Sequence, residues 1–151
     1  MAAPPDAYLV IKPLAFVVAA LPMAIDNIRT GLISNLNNAI LFLGGIGVLA
    51  LGPTLGMETF SLPAPSLWML VALVPFALFA LRLIGGGAAK FLIALLPWFS
   101  PGEYIFVTVA GFIFAGVAGV ARSRKNMQIL LPILVAGLLA QVAAIVVSMR
   151  H

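Results

Sequence analysis

Long apolar runs separated by single charges dominate this chain. Residues 104–121, YIFVTVAGFIFAGVAGVA, carry no charged side chain, and neither do residues 59–81 or 126–149. A helix built from such a run has no polar face to turn to water, so it belongs in a bilayer or in the centre of a large protein. With 151 residues the chain is too short to wrap several such helices in a soluble shell. Charged residues make up 8% of it, against the roughly 25% of a soluble domain. The expectation is a polytopic, all-α integral membrane protein.

A spanning helix needs about 20 mostly apolar residues. Six stretches are candidates, at about residues 7–25, 36–51, 67–83, 88–99, 104–121 and 129–149. The fourth is short and suits a half-buried helix broken near Pro97. Lys12 lies near the start of the first, where it can snorkel to the surface. With six transmembrane helices, Arg29, Arg82, Lys90, Arg122, Arg124 and Lys125 fall on one side, and Lys12 and Arg150 on the other with Asp6, Glu58 and Glu103. Basic loops face the cytoplasm, so both termini are expected outside, on the periplasmic side. The N-terminus lacks the basic region of a signal peptide, so the first apolar segment is expected to stay as a helix. No internal repeat or long linker divides residues 1–151, which read as a single domain.

The composition also removes chemistry. There is no cysteine and one histidine, His151, so disulfides, thiol nucleophiles, a buried Ser-His-Asp triad and a His- or Cys-based metal site are excluded. No cofactor is expected. The net charge of +4 is read as setting orientation in membrane lipid, not as binding nucleic acid.

Four acids remain. Asp6, Glu58 and Glu103 read as solvated residues of the outer face. Asp26 closes the first apolar segment on the cytoplasmic side, where an ionisable group is costly and often functional. Its plainer role is a pair with Arg29, three residues on. After it come Asn27, Thr30, Ser34, Asn35, Asn37 and Asn38, side chains suited to caps and turns, and Asn35 or a neighbour is placed to start the second helix. The second notable stretch is RLIGGGAAKF, residues 82–91. Gly85, Gly86 and Gly87 serve either close packing or a break between two helices. A short helix that begins at such a break favours a negative charge at its N-terminus. Ala88 stands there and makes no use of it. Lys90 has the plain role of an inside-facing cation, as does Arg29.

Gly85-Gly86-Gly87-Ala88-Ala89-Lys90 resembles the G-x-G-D motif of type IV prepilin peptidases, commonly seen as GGGDxK. Asp26, followed by Ile33-Ser34-Asn35-Leu36, resembles that family's first aspartate region, in which Ile-Pro-Asn-Leu follows the aspartate. The length, the six-helix plan and Leu131-Pro132 are similar to the short branch serving Tad-type (Flp) pili, which lacks the methyltransferase domain and zinc-binding cysteines of longer members. Ser34 replaces a proline of the pattern. Ala88 replaces the second catalytic aspartate.

The resemblance implies an aspartic endopeptidase of the prokaryotic inner membrane, acting at the cytoplasmic face. Its partner would be a prepilin substrate with a basic leader peptide, cut at the edge of the prepilin's apolar helix. In such a dyad two close carboxylates share a proton; one activates water and the other protonates the scissile carbonyl. Asp26 would be one member and residue 88 the other. The first and fourth helices would then bring these positions face to face, with Gly85, Gly86, Gly87, Lys90, Arg29 and Asn35 around them. With Ala88 the dyad is broken and this chain is expected to be inactive. Ala88 is either an engineered replacement or the mark of a natural pseudo-enzyme that binds prepilins; the intact pattern around it favours the former. In a different class, the chain would be a structural or transport subunit, its glycines serving helix packing and Asp26 an ion path.

Overall fold

The computed structural model describes residues 6–55, 65–122 and 130–148. Among these the chain is helical, with no strand. Six α-helices run in order: α1 (Asp6–Thr30), α2 (Asn35–Leu51), α3 (Pro65–Ala80), α4 (Gly86–Leu95), α5 (Pro101–Arg122) and α6 (Leu130–Ser148). Short 3₁₀ turns follow α2 at Gly52–Leu55 and α4 at Leu96–Trp98. Glu58, Arg124, Lys125 and Arg150, used above to assign sides, lie outside the described residues.

The helix ends are set by local chemistry. α1 does not stop where its apolar run stops. It continues through Asp26 to Thr30 and ends at Gly31, whose φ of +70° and bond to the Asn27 carbonyl make a left-handed cap. The Thr30 hydroxyl donates to the Asp26 carbonyl at 2.8 Å. Asn35 is the first residue of α2, as the sequence suggests, and Ser34 is its N-cap, accepting from the Leu36 N–H at 3.2 Å. α5 begins three residues earlier than its apolar run. There Ser100 and Glu103 form a reciprocal capping box, with the Ser100 N–H donating to Glu103 Oε2 at 2.8 Å. Glu103 is therefore a half-buried cap, not a plainly solvated acid.

α3 ends in a Schellman arrangement. The Arg82 N–H bonds the Phe79 carbonyl and the Leu83 N–H bonds the Leu78 carbonyl. The left-handed position falls on Arg82, with φ of 56°, and not on one of the three glycines that follow. Gly85 is instead the N-cap of α4 in extended conformation.

The packing turns on the segment after α4. Pro97 ends regular helix there, and Trp98 and Phe99 fold into the centre. Phe16 of α1 meets both edge-on, with ring centroids 5.3 and 5.5 Å away. Trp98 Nε1–H donates to the Leu41 carbonyl of α2 at 2.7 Å. α2 admits the indole because Gly45 faces it: a Cβ there would stand 2.8 Å from Pro97 Cβ and from Trp98 Nε1. α5 and α6 also pack closely, with Gly111 so near Ile133 that a Cβ would stand 2.9 Å from the Ile133 Cα. α2 packs against both α1 and α4, and α1 against α6.

The exterior is apolar. Met69, Leu70, Leu73, Phe76 and Phe79 of α3 are all exposed, as are Leu14, Val18 and Leu21 of α1. Two stretches, Val10–Thr30 and Asn35–Thr54, are long and apolar enough to cross a membrane; the other described helices contribute shorter apolar runs.

Candidate functional site

Two bonds tie the two notable stretches of sequence to one turn of helix. Asn37 Nδ2 donates to Asp26 Oδ2, joining the end of α1 to the start of α2. Lys90 Nζ donates to Asn35 Oδ1 at 3.0 Å, joining the start of α4 to the same turn. Asn35 and Asn37 are two residues apart, so the opening of α2 sits between Asp26 on one flank and α4 on the other. Gly87 completes this arrangement: a Cβ on it would lie 3.6 Å from Ile33 Cβ, in the connection between α1 and α2.

The local causes are plain. The Gly31 cap and the Ser34 N-cap turn the chain within residues 31–34, which stacks the end of α1 beside the beginning of α2. Asn37 then faces α1 and is buried. The three glycines behave differently from one another. A Cβ at Gly85 would meet nothing within 4 Å, one at Gly86 would meet only the Phe79 ring, and one at Gly87 would touch Ile33. The triplet therefore breaks the chain between α3 and α4 more than it packs helices together. Ala88, the third residue of α4, is half-buried.

Asp26 is half-buried and pairs with Asn37, while Arg29 is exposed and, among the described residues, forms no ion pair with it. The amide bond takes one carboxylate oxygen and fixes the orientation of the group. Arg29, Arg82 and Lys90 are all exposed at this end of the bundle.

Sequence reasoning missed two residues here. Asn37 and Asn38 read as generic capping side chains, yet both are buried, Asn37 against Asp26 and Asn38 in the wall of a cleft between α2 and α4. The available signal was helical spacing. Asn38, Leu41, Gly45 and Val48 share one face of α2, and all are buried. A polar residue on that face is itself a flag.

Among the described residues, no group of three or more acidic, histidine or cysteine side chains could hold a metal ion. The site offers one carboxylate, amides and a lysine. It can accept a proton, donate hydrogen bonds and hold an uncharged or anionic group. Neither models of known families nor curated proteins nor solved structures match this chain.

Proposed function

We propose that this chain is an inner-membrane protein of the prepilin peptidase kind, spanning six times with both termini outside, that binds the leader region of a Flp-type prepilin at its cytoplasmic end. The observation that carries the reading is the pair of bonds from Asn37 to Asp26 and from Lys90 to Asn35. Through them the aspartate stretch and the glycine-lysine stretch, far apart in sequence, meet at one turn of α2. The apolar exterior of α1 and α3 supports the membrane part of the reading, since soluble proteins rarely leave so large an apolar surface uncovered.

In this reading Asp26 is half of an aspartate pair whose other half is missing at Ala88. A lone carboxylate can take a proton from water. Among the described residues no second acid is bonded to Asp26 to protonate the carbonyl as the peptide bond opens, and loss of one member of such a unit commonly costs several orders of magnitude in rate. The chain as it stands holds a prepilin without cutting it.

Restoring the carboxylate tests this. The Ala88→Asp variant and the parent are purified in detergent and each is mixed with a Flp-type prepilin that carries its leader. The expected result is leader removal by the variant alone, abolished again by adding Asp26→Asn. An Ala88→Asp variant that folds but leaves the prepilin whole would overturn the reading.

A further inference from the structure

The cleft between α2 and α4 contains a feature that the aspartate pair does not use. It is an open groove of about 300 Å³, lined by Asn35, Asn38, Phe42, Lys90, Ile93 and Ala94, together with Ala39. Asn38 is 7% exposed, and neither its Nδ2 nor its Oδ1 has a hydrogen-bond partner. A buried primary amide with both ends unpaired is expensive to keep, and the cost is recovered when a ligand supplies both partners. Leucine at this position would fill the same face of α2 without that cost.

The chemistry of the ligand follows from what is unpaired. The amide offers a donor and an acceptor side by side. A lipid phosphodiester group has acceptor oxygens alone, and would leave Oδ1 unsatisfied. A residue in extended conformation presents its own N–H and C=O on the same side of the chain, and meets both needs. The rest of the cleft agrees. Phe42, Ile93 and Ala94 form an apolar wall for one side chain, and Lys90 places a cation beside Asn35. Both amide atoms are buried in the cleft wall, so pairing with a ligand requires the Asn38 side chain to turn outward.

We infer that the α2–α4 cleft binds an extended peptide segment, with the Asn38 amide pairing the main-chain N–H and C=O of one of its residues. This rests on the reading of the chain as a prepilin-binding protein for the identity of the peptide. Asn38 is on this account a peptide-binding residue of the same site.

The test uses the full chain in lipid nanodiscs. The probe is a labelled synthetic peptide with a Lys/Arg-rich leader ending in glycine, followed by about ten apolar residues. Its companions are peptides of the same sequence, each N-methylated at one backbone nitrogen. Binding is followed by fluorescence anisotropy. Asn38→Leu is expected to weaken binding about tenfold. One N-methylated peptide should lose a similar factor on the parent chain and lose nothing further on Asn38→Leu. Asn38→Asp, which keeps the shape and removes the donor, should also weaken binding. The inference is overturned if Asn38→Leu binds as tightly as the parent, or if no methylation couples to residue 38. The N-methyl series on the unchanged protein keeps the test valid if a variant misfolds. Cleavage by Ala88→Asp separates the two readings. Cutting without any Asn38 coupling sinks the cleft assignment alone. Asn38-coupled binding without cutting upholds the cleft and sinks the peptidase reading. Absence of both binding and cutting overturns both.

Discussion

Asn37 donates a hydrogen bond to the Asp26 carboxylate across the junction of α1 and α2. That contact decides how the carboxylate is held. The acid is bonded to α2, while Arg29, the cation of its own helix, stays exposed. Replacing Asn37 with Leu removes the donor from a half-buried carboxylate. The expected cost is about 1–3 kcal/mol of stability, read as a lower melting temperature in detergent. Asn37→Gln should fall between the two, because its longer arm reaches the same oxygen with poorer geometry.

Trp98 anchors the broken end of α4 through its bond to the Leu41 carbonyl and its contact with the Phe16 ring. Trp98→Phe keeps most of the ring and loses the bond, and is expected to cost about 1 kcal/mol. Trp98→Ala leaves a cavity between α1 and α2 and is expected to cost about 3–5 kcal/mol. Thermal unfolding of the two variants should rank them in that order.

Gly111 permits the close approach of α5 and α6 at Ile133. Gly111→Ala forces the helices apart or moves Ile133, including its backbone, at about 1–3 kcal/mol. The double change Gly111→Ala with Ile133→Ala relieves the side-chain clash but leaves the backbone approach, so it should recover only part of the loss. A full recovery would show that the helices are free to separate.

Arg82 occupies the left-handed position of the α3 cap, where a side chain is strained. Arg82→Gly is expected to raise stability by about 1 kcal/mol, seen as a higher melting temperature. Arg82→Val, β-branched, should lower it.

Gln141 of α6 is 5% exposed and both of its amide atoms lack partners. Gln141→Met keeps its length and removes the unpaired atoms, so stability should rise by about 1–2 kcal/mol. A fall would mean that the amide is satisfied in solution by a group such as a bound water.

What was legible in the sequence was whatever depends on short-range pattern. Apolar runs located the helices, because burial of apolar side chains acts on every residue of a run at once. The break at Pro97 and the start of α2 at Asn35 were equally readable, since proline and N-cap side chains act on their own backbone. Helix ends were less so. α1 outran its apolar stretch by several residues because its hydrogen bonds continue until Gly31, whatever the polarity of Asp26 and Asn27.

By itself, then, the sequence determined an all-helical chain with very few charges, long apolar runs, and two acid- and glycine-bearing stretches. Tertiary structure alone decided which partners meet. Leu41 offers its carbonyl to Trp98 only because Gly45 lets the indole approach, and the 57-residue separation of that pair leaves no local trace. Likewise Asn37 reaches Asp26, Lys90 reaches Asn35, and Asn38 is shut away unpaired. Adjacent asparagines on a helix point about 100° apart. Which of them meets a carboxylate, and which lines a cleft, depends on where α1 and α4 dock, and that is settled by packing over the whole bundle.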